Sequence, residues 1–527
     1  MQKQKLSADD MGMLVLLTAI IFGTWFRMMP ALRAGFPIND GGMFYTMIQD
    51  LRANHYIPPL YTTYNNLNIP FVYPPLGLYL AAAISDLFNL TTPLAVIQWL
   101  PGIINALCIP VFYLFANELL RDKLQGAIST LVYSFIPYTA AWHSMGGGLT
   151  RAPGEFFMLL ALTYIHRVFT EESQSDVWGA IVFSSLVTLS HTEAPLYTIA
   201  IALYIWAMKS RSIKGLLNGV LIAIGVLVLS SPWYGWIIYK HGFTPLISAS
   251  QTGFHSIGSI LRLINIDFVT GEPFLDLLGA LSILGMAILI TKRNFFVPGV
   301  LIIVYLAEPR SAHIIANIPL ALAAGVFIVE VLLPAIARIQ EQGINNLGPK
   351  VRYTWVTFLF VLIPYLFSNA ISYGLFISEM HVSKAERDAM QWAANNTPKD
   401  SKFLVITGEP NGFCDSTSEW FPALANRQSL GTLQGNEWLK GKAFGEYATQ
   451  IRNLQACSKK GLDCILQEEV HFHPGFDYLY ISTNLPAITC NIKDDPDSTR
   501  GLILELENSA HFKNVFRSEE VMIFSKK

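Results

Sequence analysis

Long apolar runs separated by short polar loops occupy the chain up to about residue 379. Eleven of these runs predict membrane-spanning helices. They cover residues 11–30, 95–118, 125–142, 152–168, 177–192, 194–208, 214–236, 273–291, 295–307, 311–334 and 353–377. A shorter run at 73–88 opens with two prolines, and it either stays outside this count or belongs to a set of up to thirteen crossings. The pattern predicts an α-helical polytopic membrane domain over residues 1–379, with eleven to thirteen transmembrane helices.

The remaining residues, 380–527, show a different pattern, in which short apolar segments alternate with polar ones. The pattern predicts helices at 383–395, 444–456 and 499–508, and strands at 402–408, 477–483, 512–518 and 520–526. This tail carries 16 Lys/Arg and 19 Asp/Glu, while the much longer part before it carries 20 and 19. We therefore expect a separate soluble α/β domain that begins near Glu379.

Cysteine usage supports an extracytoplasmic position for this domain. Four of the five cysteines, Cys414, Cys457, Cys464 and Cys490, fall in the polar tail, whereas Cys108 lies in an apolar run. An even number of cysteines in one soluble domain permits two disulfides and indicates an oxidising compartment, although the sequence leaves the pairing open.

Composition places the protein in a membrane and argues against a nucleic-acid partner. Hydrophobic residues make up 52% of the chain and charged residues 14%, which is too apolar for a soluble protein of 527 residues. The formal net charge is only −2, so no electrostatic attraction to nucleic acid is expected. The N-terminal apolar run lacks a small-residue cleavage site, which predicts a retained first span.

Basic residues in the loops predict the orientation. If residues 73–88 do not cross, most basic loops fall on the side of Lys3 and Lys5, which the positive-inside rule makes cytoplasmic. The chain is then a multi-pass protein of the plasma membrane with a cytoplasmic N-terminus. Its first outer loop, residues 31–75, and its C-terminal domain lie outside the cell.

The outer loop contains the stretch "INDGGMFYTMIQDL". Met43, Met47 and Leu51 recur at helical spacing, which predicts a helix lying along the membrane interface. Asp40 precedes this helix and is a candidate for chemistry at the membrane surface. The alternative is that Asp40 only caps the helix N-terminus, since aspartate is a common N-cap.

Other ionisable residues are predicted at the same outer face, where burial at membrane depth is costly unless they face a cavity or each other. They are His143, Arg151, Glu155, His191, Glu193, Arg310 and His313. Two arginines, each near a histidine, suit a phosphate at the membrane surface, although either arginine alone suits a lipid headgroup equally well.

For the acidic residues, structural roles also stay open. Glu155 near a helix start suits the helix dipole, and His191 with Glu193 suits a simple hydrogen-bonded pair.

Signatures of other chemistries are missing from the sequence. The histidines lack metal-ligand spacing and the first loop lacks an Asp-x-Asp pair, so we predict neither a metal nor another cofactor. Walker A, GxSxG and HExxH sequences are also absent. Two Glu-Trp pairs in "STSEWFPALANRQSLGTLQGNEW" suit either a sugar-binding surface or a core loop, and we favour the core.

This order of features resembles the GT-C glycosyltransferases, the polytopic enzymes that use polyprenyl-phosphate sugars, including the protein O-mannosyltransferase and aminoarabinose-transferase branches. The likeness covers about residues 10–335. It includes the acidic outer loop, "YPPLGLYL", "IQWLPGIINALCIPVFYLFANELLRDKLQGAISTLVYSFIP" and "PRSAHIIANIPLALAAG". The chain lacks a WWDYG sequence in its tail, so a peptide asparagine is not the expected acceptor.

The resemblance implies roles for several residues. Asp40 matches the catalytic acid of the first loop and acts as general base on the acceptor hydroxyl, while Arg310 matches late basic residues that hold the donor phosphate. Arg151 and His143 fall in the second outer loop and are carried over as further binding residues. The implied partners are a polyprenyl-phosphate-linked sugar, a lipid, glycan or protein acceptor, and membrane lipids.

The expected reaction is a single displacement that inverts the anomeric centre. Two other functions compete with it: a lipid or solute transporter, and a non-catalytic sugar-binding membrane protein. Transporters often contain internal repeats, and the sequence has no evident repeat.

Overall fold

The structure is a computed structural model that describes residues 8–252, 275–335, 338, 352–472, 475–483 and 499–527. Fifteen helices occur in the described part of residues 8–378. They are α1 Ala8–Ala34, α2 Gly42–Ala53, α3 Leu76–Leu87, α4 Leu94–Leu120, α5 Lys123–Phe135, α6 Pro137–Ser144, α7 Gly148–Thr170, α8 Ser175–Ser190, α9 Ala194–Lys209, α10 Ile213–His241, α11 Thr244–Ser250, α12 Leu277–Thr291, α13 Phe296–Ala307, α14 Ala312–Phe327 and α15 Arg352–Ser378. A π-helical turn, Ile328–Leu332, extends α14. A two-stranded hairpin, β1 Tyr61–Thr62 and β2 Ile69–Pro70, lies between α2 and α3.

The protein is a multi-pass helical membrane protein. Four helical stretches in the described residues are long and apolar enough to cross a bilayer by length and composition. They are Asp9–Ala34, Leu94–Leu120, Ile213–His241 and Ala312–Ala335. The pair α12 and α13, bent by 118°, adds a fifth if it forms one span. The expected count of eleven to thirteen stays a prediction.

Two predicted runs take a different form from the one expected. The run 125–142 is divided into α5 and α6 at Ile136, whose extended backbone (φ −68°, ψ 118°) precedes Pro137. Proline disfavours the helical conformation of the residue before it and donates no backbone hydrogen bond, so the helix ends there. The run 73–88 yields only α3, and twelve residues reach about 18 Å, which is less than the bilayer core of about 30 Å.

Ion pairs connect loops and helix ends at one end of the helical bundle. Lys123 lies 2.8 Å from Asp9, and Lys214 lies 2.7 Å from Glu172. Lys292 pairs with Glu330. These loops are those that the charge pattern assigns to the cytoplasm. Which side of the membrane they occupy stays a prediction.

The C-terminal domain has the mixed α/β fold that its sequence predicts. Its helices are α16 Lys384–Asn396, α17 Ser416–Ala425, α18 Asn436–Lys440, α19 Phe444–Lys460, α20 Leu462–Glu468 and α21 Arg500–Asn508. Its strands are β3 Lys402–Ile406, β4 Gln428–Ser429, β5 Tyr478–Ser482, β6 Phe512–Arg517 and β7 Val521–Lys526, in the order β4-β3-β5-β7-β6. The three predicted helices and four predicted strands are confirmed, while α17, α18, α20 and β4 were not predicted.

Alternation along β3 gives the sheet two buried faces. Leu404 and Ile406 pack with α19 and α21 on one face. Phe403 and Val405 belong to a second core on the other face, which also contains residues of α2 and α17. Because this core joins residues from both parts of the chain, the C-terminal domain is held against the segment between α1 and α3 by apolar packing.

The cysteines behave largely as expected. Cys457 and Cys464 form a disulfide, Cys414 is also disulfide-bonded, and Cys108 is free and buried. Cys490 lies outside the described residues.

The helix predicted along the membrane interface is α2. Met43, Met47 and Leu51 are buried, and they pack in the second core together with Trp420. The apolar face of α2 is therefore covered by protein, and its orientation relative to the membrane stays a prediction.

Candidate functional site

Asp40 lies in a short loop between α1 and α2. The C-terminal domain holds this loop through hydrogen bonds with the neighbouring residue Asn39. The Trp420 indole Nε1 donates to the Asn39 carbonyl at 3.0 Å, and the Asn39 side chain donates to the Phe413 carbonyl at 3.0 Å. The Asn39 N–H donates to the Met380 carbonyl at 2.5 Å. Asn39 has a left-handed backbone (φ 52°) and Gly41 a φ of 128°, so the loop turns sharply at both neighbours of Asp40.

The carboxylate of Asp40 is buried and points away from α2, the helix that follows it in sequence. Oδ1 accepts the Gly147 N–H at 2.7 Å, and Oδ2 lies 3.2 Å from Nη1 of Arg151. The N-cap of α2 is Gly41, without a side-chain capping bond, so the alternative that Asp40 caps this helix is wrong. Gly147 is the N-cap residue of α7, and Asp40 therefore places its charge at the positive end of a different helix.

Two glycines, Gly146 and Gly147, make this approach possible. A Cβ at Gly147 would lie 2.2 Å from Asp40 Oδ2 and 2.6 Å from Arg151 Nη1. A Cβ at Gly146 would lie 1.7 Å from the Asp40 carbonyl oxygen. The loop between α6 and α7 thus has glycine where the backbone must contact the carboxylate directly.

A small cavity of about 40 Å³ lies next to this ion pair. Five of the residues predicted for the site line it together with Tyr197 and Ser311; the five are His143, Arg151, Glu155, His191 and Glu193. The cavity is large enough for water-sized molecules. Arg151 connects it to Asp40 because its guanidinium both pairs with that carboxylate and forms part of the lining.

A buried polar chain supports the cavity from inside the bundle. His143 Nε2 lies 2.8 Å from Glu155 Oε2, and the Tyr133 hydroxyl donates to Glu155 Oε1 at 2.7 Å. Arg27, fully buried in α1, lies 4.5 Å above the Tyr133 ring and donates to the Tyr133 carbonyl at 3.1 Å. Glu155 therefore belongs to a buried hydrogen-bonded chain, and the helix dipole is at most one of several stabilising contributions.

The other predicted residues lie near the starts of α9 and α14, and two of them, Arg310 and His313, are not part of the cavity lining. The Glu193 N–H donates to His191 Nδ1 at 3.3 Å. The Glu193 carboxylate hydrogen-bonds Ser311 and lies within electrostatic range of both Arg151 and Arg310. Arg310 precedes α14 and lies 5.7 Å from the ring of Phe413 in the C-terminal domain. His313 is half-buried in the first turn of α14, between the lining residues Ser311 and Ile314.

Solved structures resemble this chain over nearly its whole length. The archaeal oligosaccharyltransferase AglB from Archaeoglobus fulgidus, in complex with an inhibitory peptide and a dolichol-phosphate, aligns with a TM-score of 0.55 and 14% identity, over 96% of this chain and 72% of that one. ArnT from Cupriavidus metallidurans in the apo state aligns with a TM-score of 0.53 and 15% identity, over 98% of both chains. The arabinofuranosyltransferase AftD from Mycobacteria aligns with a TM-score of 0.54 and 14% identity, over 97% of this chain and 40% of that one.

The fold is similar, over nearly the full chain, to the folds of GT-C glycosyltransferases. No family model and no curated relative match the chain by sequence. At these identities the likeness concerns the fold, so the chemistry must be argued from this chain's own residues.

On this GT-C fold, two residues near the site were missed by the sequence analysis. Glu419 of α17 accepts the Gly41 N–H at 2.9 Å, directly beside Asp40. Arg27 falls within the first predicted span, 11–30. A charged residue inside an apolar run is a usable signal for Arg27, whereas nothing local in the sequence indicates that Glu419 meets a loop 378 residues earlier.

The two Glu-Trp pairs are core residues, as favoured from the sequence, because Trp420 is fully buried and Trp438 is 8% exposed. The neighbouring glutamates, Glu419 and Glu437, are also at least partly buried. Burial raises the pKa of Glu437 and, together with the charge of Asp40, raises the pKa of Glu419 to about 8. Within the described residues, no group of three or more His, Cys, Asp or Glu side chains is arranged to hold a metal ion.

Proposed function

We propose that the protein is a membrane glycosyltransferase that moves a sugar from a polyprenyl-phosphate donor to an acceptor at the outer face of the membrane. The observation that carries this proposal is the buried Asp40 carboxylate paired with Arg151, beside a cavity lined by His143, Glu155, His191 and Glu193. The GT-C fold adds support, since AglB, which shares it, was solved with a dolichol-phosphate.

In the proposed reaction Asp40 is the general base. It takes the proton of the acceptor hydroxyl while the acceptor oxygen forms a bond to the anomeric carbon. The bond between that carbon and the phosphate oxygen breaks, and its electron pair leaves with the polyprenyl phosphate. Because attack and departure occur on opposite faces, the reaction inverts the anomeric configuration.

The arginines stabilise the departing phosphate. Arg151 has donors beyond the one directed at Asp40, and guanidinium groups bind phosphate oxygens through paired hydrogen bonds. Arg310 supplies a second positive charge across Glu193. His191 adds a hydrogen-bonding group to the cavity lining, and His143 is held toward the cavity by Glu155. His313 lies next in sequence to the lining residue Ile314 but does not line the cavity itself.

The proposal is tested by separating transfer from donor binding in the purified, reconstituted protein. Asp40→Asn is expected to lower kcat by about 100-fold or more, the usual contribution of a general base, while donor affinity stays near that of the wild type. Arg310→Ala is expected to weaken donor binding by about 10-fold or more, because it removes a charge-assisted contact. Transfer is followed with radiolabelled polyprenyl-phosphate sugars, and binding by calorimetry with the unglycosylated polyprenyl phosphate.

Arg33→Ala is the matched control for Arg310→Ala, because Arg33 forms an exposed ion pair with Glu379 outside the site. Full activity of Asp40→Asn would refute the assignment of the base. Wild-type donor affinity in Arg310→Ala would refute its role in phosphate binding. Movement of an intact ligand across the bilayer, without transfer, would identify a transporter instead.

A further inference from the structure

The N-terminus of α2 is capped by a residue from the other end of the chain. The first N–H groups of a helix lack partners within the helix, and Gly41, the N-cap, has no side chain to offer. Glu419 takes this role: Oε1 accepts the Gly41 N–H at 2.9 Å, and the carboxyl group also hydrogen-bonds the Met43 N–H. These are the N-cap and the second residue of α2.

Asp40, in turn, contacts a helix other than α2. It directly precedes the N-cap of α2, yet its carboxylate accepts the Gly147 N–H at the start of α7 and pairs with Arg151. Asp40 thus contacts the start of α7 and not that of the adjacent α2. Glu419, which is itself a residue of α17, contacts the start of α2. If Glu419 were absent, the free N–H groups of α2 would compete with Gly147 and Arg151 for the Asp40 carboxylate, because aspartate readily caps a helix in this way.

The backbone around Glu419 fixes its position. The Tyr64 hydroxyl donates to the Glu419 carbonyl at 2.6 Å, and a Cβ on Gly42 would lie 2.7 Å from that same oxygen. The groups facing the carboxyl are Asp40, Tyr64 and the side chain of Gln434. Glu419 is only 5% exposed, so its contacts with α2 are made without competing water.

We propose that Glu419 is a positioning residue that caps α2 from the C-terminal domain and thereby keeps the Asp40 carboxylate directed at Gly147 and Arg151. The catalytic role of Asp40 in this statement rests on the proposed function. The site is then complete only when the C-terminal domain is docked, although no atom of Glu419 needs to touch the substrate.

The test compares Glu419→Ala, Glu419→Gln and a matched control, Glu505→Ala. Glu505 also accepts a backbone N–H at the start of a helix, that of Leu462 in α20 at 2.6 Å, but outside the site. Two quantities are measured on the full-length reconstituted protein: kcat and KM for transfer, and amide hydrogen exchange of the segment 39–46.

Glu419→Ala is expected to lower kcat at least 10-fold with donor KM within about 2-fold, and to speed exchange in segment 39–46. Glu419→Gln keeps an acceptor oxygen, so it restores kcat to within about 3-fold and restores slow exchange. Glu505→Ala matches the wild type in both quantities.

A wild-type kcat in Glu419→Ala, or a Gln variant as impaired as the Ala variant, would overturn the positioning role. If the wild-type protein transfers no sugar, the proposed function fails. Amide exchange still tests whether Glu419 caps α2. Unchanged exchange in Glu419→Ala would then refute it.

Discussion

Asp40 and Glu419 are neighbours whose environments differ sharply. Asp40 faces a guanidinium and a backbone N–H, whereas the Glu419 carboxyl meets backbone N–H groups, Gln434 and the negative charge of Asp40. Burial and that charge raise the pKa of Glu419 to about 8. Glu419 is therefore mostly protonated at neutral pH, and glutamine is a neutral isostere of this protonated form.

This difference predicts how stability depends on pH. In the unfolded chain Glu419 loses its proton near its usual pKa of about 4.5, but in the folded protein it keeps the proton up to about 8. The folded state thus binds more protons between these values, and stability falls as pH rises through them. Glu419→Gln lacks this proton and is expected to become progressively more stable, relative to the wild type, from about pH 5 to pH 8.

Thermal unfolding of both proteins across that range, in the same detergent, measures the difference. Because burial also raises the pKa of Glu386 and Asp415, only the difference between the two proteins isolates Glu419. A Tm difference that stays constant from pH 5 to pH 9 would contradict a proton held by Glu419.

The start of α7 depends on glycine for its contact with Asp40. Gly147→Ala would place a methyl group 2.2 Å from the Asp40 carboxylate, so either the loop or the ion pair with Arg151 must shift. We expect at least a 10-fold loss of kcat and a destabilisation of about 1–3 kcal/mol, the usual cost of overpacking. Activity assays and denaturant unfolding check both effects.

Gly445→Ala is the control for this substitution. A Cβ at Gly445, in the first turn of α19, meets nothing within 4 Å, so activity should stay within about 2-fold of the wild type. Wild-type kcat in Gly147→Ala would show that the close approach of loop and carboxylate is not required.

At the level of elements, periodicity predicted most of what the structure contains. The strand around Val405 and the capping box of Ser383 with Glu386 are local patterns, so the C-terminal helices and strands could be located from sequence. The short helix α17 was missed because "STSEWFPALA" contains proline and no clear repeat. The break at Pro137 was missed because hydrophobicity continues across it.

The site was partly predictable for a related reason. Ionisable residues in apolar surroundings, such as Glu155 and His191, stand out in a sequence because burying them is costly. Their partners do not stand out, since a hydrogen bond such as that from Gly147 to Asp40 joins residues 107 positions apart. The N-cap rule failed at Asp40 because it considers only neighbours in the chain.

At the level of the whole molecule, orientation in the membrane can be tested directly. Ser175, at the start of α8, and Lys513, in β6, are both exposed and belong to the predicted inner and outer parts respectively. A membrane-impermeant maleimide is expected to label Lys513→Cys in intact cells and Ser175→Cys only after permeabilisation. The unsubstituted chain supplies the background. The reverse pattern would overturn the predicted orientation.

The hydrogen bonds that hold the loop around Asp40 also constrain the order in which the protein folds. A ribosome that makes this chain releases Asp40 early, whereas Phe413, Glu419 and Trp420, which hold its neighbours, emerge more than 370 residues later. The membrane helices are therefore made before these contacts exist, and the loop around Asp40 lacks them until the C-terminal domain has folded. If Asp40 is the proposed base, a chain truncated before Phe413 is therefore expected to lack an ordered reaction centre.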